Sequence, residues 1–108
     1  MATGADLGSV LSSTRPDMVF DVAVPKVRRE VVLTAFEHGC HVLTEKPLAA
    51  NREDAVAILS AAERHRKLHA VVQNRRYVAN VRRIRRFLES GALGRPTGIH
   101  ADLSLIHI

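Results

Sequence analysis

"CHVLTEKPLAANRED", residues Cys40 to Asp54, sets a short β-like run, Val42-Leu43-Thr44, against an acid, a base and a proline, with a helix opening a few residues later. Such a run, halted at charged residues and followed by a helix, reads as the turn of a βα unit. Asn51 is a good N-cap. Glu53 and Asp54 load the first helical turn with negative charge, while Arg64, His65, Arg66 and Lys67 load the last with positive charge. A helix is therefore expected from about 51 to 66, with a stripe of Ala55, Ile58, Leu59 and Ala62 turned towards a sheet.

Working outward, Arg15-Pro16-Asp17 is a turn signal, and Met18 to Val24 is a nearly continuous apolar run, as expected for a strand covered on both faces. Asp21 interrupts that run, either facing a crevice or marking an edge. Pro25 ends it. Val27, Val31, Val32, Ala35 and Phe36 then recur at helical spacing, and Gly39 is placed as a C-terminal cap. Downstream, Leu68 to Gln73 predicts a third strand. Val81, Ile84, Phe87 and Leu88 predict another helix ending near Gly91, and Thr97 to Ser104 alternates weakly like a strand. The connections are too long for hairpins, so the fold class is α/β: a partial doubly wound parallel sheet, Rossmann-like, lacking its first βαβ half. Three or four strands with open sides are part of a larger sheet and predict self-association.

Composition is that of a folded domain, with 46% hydrophobic and 25% charged residues among 108. The excess of 16 Lys and Arg over 11 Asp and Glu gives +5, which suits anionic partners without selecting one. A single cysteine, Cys40, excludes an internal disulfide framework and reads as a buried, inert thiol. There is no secretory signal and no apolar run near the ~20 residues of a bilayer span, so a cytoplasmic location and no membrane contact are expected.

In open α/β sheets, ligands bind beyond the carboxyl ends of the strands, where Val24-Pro25 and Glu45-Lys46-Pro47 both fall. Proline gives no N–H to a ladder and holds the preceding residue extended, so Pro47 directs Lys46 out of the sheet edge. An ammonium there can stabilise a substrate oxygen as its proton leaves, and Glu45 can accept from sugar hydroxyls. Charged residues at a strand end are otherwise a solvated rim.

Ala35-Phe-Glu-His-Gly39, His41-Val-Leu-Thr-Glu-Lys-Pro-Leu-Ala49, Ala61-Ala-Glu63, Arg76-Tyr77 and Ser90-Gly-Ala-Leu-Gly94 follow one another as corresponding motifs do in the Gfo/Idh/MocA oxidoreductases. The sequence resembles that family over about residues 15 to 102. The resemblance implies NAD- or NADP-dependent hydride transfer on a sugar, cyclitol or related polyol. By carry-over Lys46 is the catalytic lysine facing the substrate. Pro25, Glu45, Lys46, Pro47 and Arg76 are the cofactor-binding candidates, with Glu45 and the Pro25 turn along the nicotinamide ribose. Ala23-Val24 departs from the family's Thr-Pro, Arg28 stands where a histidine is common, and Ala79 replaces the proline after Arg-Tyr. These departures bear on substrate class. No Gly-x-Gly-x-x-Gly is present, and the family's Asp/His pair, carried by its second domain, is absent.

The chain is therefore expected to be a fragment, inactive as given: residues 1–94 the C-terminal half of a dinucleotide-binding domain, 95–102 the start of a substrate domain, and 103–108 an adapter-derived tail. The expected partners are a polyol or sugar and, in the full-length protein, further copies of itself. Two alternatives compete. One is a non-catalytic NAD(P)-binding sensor or scaffold of the same fold. The other is a nucleic-acid-binding module built on Arg75, Arg76, Arg82, Arg83, Arg85 and Arg86, which read better as a solvated face without an aromatic platform. No metal site is expected from the six histidines.

Overall fold

The computed structural model describes residues 4–100. The elements in order are α1 (Leu7–Thr14), β1 (Met18–Asp21), α2 (Pro25–Glu37), β2 (His41–Thr44), α3 (Arg52–His65), β3 (His69–Val71), a 3-10 turn (Asn74–Tyr77) and α4 (Ala79–Glu89). The chain divides into two compact units, the first ending at Gln73 and the second beginning at Asn74.

The first unit holds a parallel sheet in the order β1-β2-β3. Val19 lies beside Val42, which lies beside His69; Phe20, Leu43 and Ala70 form the next row, and Asp21, Thr44 and Val71 the last. Successive side chains on a strand point to opposite faces. Accordingly Val42 is buried and Val19 packs with it against Leu11, Val32, Ala35, Phe36, Ile58 and Ala61 from the helices. On the other face Phe20 is 54% exposed and Met18 57%. The expectation of a strand covered on both faces is thus met on one face only among the described residues.

Local chemistry explains the element ends. Asn51 Oδ1 accepts from the Asp54 N–H at 2.8 Å, capping α3 as expected. Pro25 is the first residue of α2, where its missing N–H costs nothing. At the other end Gly39 has φ of +78°, its N–H donating to Phe36 O and that of Cys40 to Ala35 O, the paired bonds of a Schellman turn. β1 stops at Asp21, three residues earlier than its apolar run suggests. The Asp21 carboxylate accepts the Ala23 N–H at 2.8 Å and so turns the chain away from the ladder.

Two helical stripes differ from their sequence patterns. On α3 the buried residues are Ile58 and Ala61, and Leu59 is half exposed. On α2 they are Arg28, Val32, Ala35 and Phe36; Val27 is exposed and Arg28 takes the inward position. α1 is an element that the hydrophobic pattern does not announce. Asp6 caps it by accepting from the Ser9 N–H at 2.7 Å, and Leu11 buries against α2, so packing outweighs its Ser-rich composition.

In the second unit α4 follows the 3-10 turn, and Gly91 and Gly94 both take positive φ beyond its end. Residues 97–100 form no strand, and the rest of the strand expected at Thr97 to Ser104 lies outside the described residues, as do residues 103–108. No helix among the described residues is long and apolar enough to cross a membrane.

Candidate active site

The carboxyl ends of β1 and β2 lie side by side, with Asp21 in register with Thr44, so the segments that follow them emerge together. One carries Pro25, the other Glu45, Lys46 and Pro47. Lys46 and Pro47 are exposed, while Glu45 and Pro25 are half-buried. The Lys46–Pro47 bond is cis. The Glu45 carboxylate accepts the Lys46 N–H at 3.1 Å. The Glu45 N–H itself donates to the Asp21 carbonyl at 2.9 Å, extending the ladder by one rung. Four of the five predicted residues are thereby placed on one rim. Arg76 lies in the second unit, its guanidinium carbon 5.9 Å from the centre of the Tyr77 ring.

Beneath that rim is a polar arrangement the sequence did not disclose. Arg28 is 1% exposed and Asp21 3%. Arg28 Nε donates to Asp21 Oδ2 at 2.7 Å, one terminal nitrogen to the Ala23 carbonyl at 2.6 Å, and the other to the Pro47 carbonyl. A buried charge is tolerated when it is paired and every donor has a partner, and the planar guanidinium fork is suited to three partners at once. No buried side-chain nitrogen or oxygen among the described residues lacks one. The available signal was Asp21, a charge in an otherwise apolar strand; Arg28 lay off the expected apolar stripe of its helix and stood out only as a departure from the family's histidine. As a departure, Arg28 is enclosed and bonded to the backbone of both rim segments.

Around this core, Thr44 Oγ1 lies 3.3 Å from His69 Nε2, and burial pushes the His69 imidazole below its ordinary pKa. His65 and His69, four residues apart, flank Phe36, one stacked on its ring and the other edge-on. Among the described residues no group of three His, Cys, Asp or Glu could hold a metal ion. Cys40 is fully buried, and burial pushes its thiol up in pKa, which suits an inert core group. In the second unit Arg76, Tyr77, Arg82, Arg85, Arg86 and Glu89 line a concavity of about 480 Å³, with Glu89 paired to Arg85 at 2.8 Å.

For a dinucleotide, these residues suit one end only. Lys46 and Glu45 offer an ammonium and a carboxylate at the strand ends, where hydroxyls of a ribose or substrate can be met. A pyrophosphate cradle needs glycines in a turn at a helix N-terminus, whereas the described glycines of positive φ, Gly39, Gly91 and Gly94, all lie after helices.

A model of an oxidoreductase family with an NAD-binding Rossmann fold matches residues 2–73. Inositol 2-dehydrogenase 3 of Saccharopolyspora erythraea is 36% identical over 101 residues, covering 93% of this chain and 29% of that protein. D-xylose dehydrogenase of Paenarthrobacter nicotinovorans is 28% identical over 97 residues, covering 90% and 25%. Among solved structures, myo-inositol 2-dehydrogenase from Lactobacillus plantarum superposes with a TM-score of 0.78 at 20% identity, covering 85% of this chain and 27% of that one, a likeness of fold. The WlbA dehydrogenase from Chromobacterium violaceum, solved with NADH and UDP-GlcNAcA, gives a TM-score of 0.78 at 29% identity, with 85% and 27% covered. The chain thus spans about a quarter of the length of the curated relatives it matches.

Proposed function

Because the chain belongs to the Gfo/Idh/MocA oxidoreductase family, with its NAD-binding Rossmann fold, we propose that it is a segment of an NAD- or NADP-dependent enzyme that moves hydride between the cofactor and a sugar, cyclitol or related polyol. Residues 1–94 are then the C-terminal half of the dinucleotide-binding domain and 95–102 the approach to the substrate domain. The full-length enzyme is a cytoplasmic homo-oligomer. The observation that carries the reading is the placement of Glu45-Lys46-Pro47 at the carboxyl edge of the sheet, with Lys46 exposed between anchored neighbours.

The nicotinamide, when bound, supplies the acceptor for the hydride that leaves the carbinol carbon with its bonding pair. The residues of this chain act on the oxygen. Lys46 donates a hydrogen bond to the substrate hydroxyl and stabilises the developing negative charge as the proton departs to a base outside these 108 residues. Glu45 accepts from a ribose or sugar hydroxyl and orients it. Arg76, in the second unit, remains a cofactor-binding candidate by the family resemblance alone.

In the full-length protein, Lys46→Ala is expected to lower turnover by roughly 10²- to 10⁴-fold while cofactor affinity stays within about twofold. Steady-state kinetics with NAD and NADP and a panel of polyols, beside calorimetric cofactor titration, reads both quantities. Equal losses in turnover and affinity would remove the catalytic role. The 108-residue chain alone is expected to bind NAD weakly, and a micromolar Kd would overturn the assignment of the pyrophosphate site to residues outside it.

A further inference from the structure

We infer that Arg28 is the positioning residue for Lys46, an inference that rests on the role proposed above for that lysine. Lys46 is exposed and stands between two neighbours that are both held from below. On its N-terminal side the Glu45 N–H donates to the Asp21 carbonyl at 2.9 Å. On its C-terminal side the Pro47 carbonyl accepts from Arg28. The two anchors are one unit, because Arg28 Nε donates to the Asp21 carboxylate at 2.7 Å.

The same pair holds the other rim segment. Ala23 gives its N–H to Asp21 Oδ1 at 2.8 Å and receives Arg28 at its carbonyl at 2.6 Å. One guanidinium therefore fixes the spacing between the segment leading to Pro25 and the segment carrying Lys46. Lysine at this position would keep a charge opposite Asp21. Its single ammonium could not span the carboxylate and two carbonyls that lie in different directions. Leu48 and Ala49 pack against the core just beyond, so loss of the polar anchor would loosen residues 46 and 47 without releasing the chain that follows.

Backbone order parameters at Lys46 in the full-length protein test the inference, with Arg28→Lys as the variant. Order at Lys46 is expected to drop from the rigid range near about 0.85 to below about 0.6, while α3 is unchanged. If Arg28→Lys does not fold, the double variant Asp21→Leu/Arg28→Met, which buries no charge, is expected to show the same local loss. Unchanged order at Lys46 in a folded variant, or an equal loss in α3, would overturn the positioning role. In the full-length protein Arg28→Lys should lower kcat by at least roughly tenfold, with cofactor affinity kept within about twofold. A Lys46→Ala protein with undiminished turnover would sink the catalytic reading alone, and the order parameters would still decide whether Arg28 holds the segment.

Discussion

Arg28 and the arginines of α4 carry the same charge and are put to opposite uses. Arg28 sits on the inward stripe of α2 with all three nitrogens bonded inside the protein. Arg82, Arg83, Arg85 and Arg86 are exposed on α4, where Arg85 meets Glu89 and Arg83 reaches Asn80 at 3.5 Å. The lesson is that a charge acquires architectural meaning when it is enclosed, because every missing partner is then a hydrogen bond that water cannot replace. On the exposed helix water supplies it.

The contrast can be broken most severely at Arg28. Arg28→Met leaves the Asp21 carboxylate buried and unpaired, and is expected to cost about 3–5 kcal/mol, with Tm lowered by on the order of 15 °C or more. Adding Asp21→Leu to the same variant should recover most of that loss, because replacing both partners of a buried pair by apolar groups is often neutral. Thermal and urea unfolding followed by circular dichroism read both effects. A single variant as stable as the parent would show that Arg28 is not enclosed.

A smaller effect lies beside the pair. His69 packs in the field of both Asp21 and Arg28, and burial is the main reason its imidazole resists protonation. Since its folded pKa lies below the ordinary value of about 6.5, the unfolded chain takes up the proton first. Stability is then expected to fall as pH drops from about 6.5 through the depressed folded value, and to level off below it. His69→Gln should flatten that slope in urea titrations between pH 7.5 and 4.5, and an unchanged slope would assign it elsewhere.

Smaller again is Arg66, where the backbone matters more than the charge. It takes φ of +53° at the end of α3, a left-handed conformation that glycine adopts without steric cost. Arg66→Gly is expected to stabilise by up to about 1 kcal/mol, read as a higher urea midpoint at constant slope. At the bottom of the scale, Arg85→Ala removes an exposed pair on α4 and should leave the unfolding midpoint unmoved; a clear loss there would erase the contrast with Arg28.

What could be read in the sequence follows the same division between local and enclosed chemistry. The Asn51 cap and the Gly39 terminator are local rules, and both are used as expected. The three strands follow from short apolar runs, and their parallel pairing from connections too long for hairpins. β1 ends before its apolar run does because the run to Val24 contains an aspartate that turns the chain with its own carboxylate. Leu59 for Ala61 on α3 is a matter of which side of the helix is covered, and α3 packs against α2, a neighbour that its own apolar pattern does not specify. α1 could not be read from eight residues rich in serine, since Leu11 is held by α2 and not by its neighbours in sequence. The rim of Pro25, Glu45, Lys46 and Pro47 was legible from strand-end chemistry and family resemblance. The bonds joining Asp21, Ala23, Arg28 and Pro47 were not, because they span up to 19 residues and belong to no local motif.

The most direct test of the account is the side-chain NMR of the arginines in the uniformly ¹⁵N-labelled chain. Arg28 is predicted to give a resolved Nε–H signal, slow exchange with solvent and hindered rotation of its terminal nitrogens, while Arg82, Arg83, Arg85 and Arg86 give averaged, rapidly exchanging signals. An Arg28 signal indistinguishable from theirs would contradict the enclosed pair and, with it, the mechanism by which the Lys46 segment is held at the edge of the sheet.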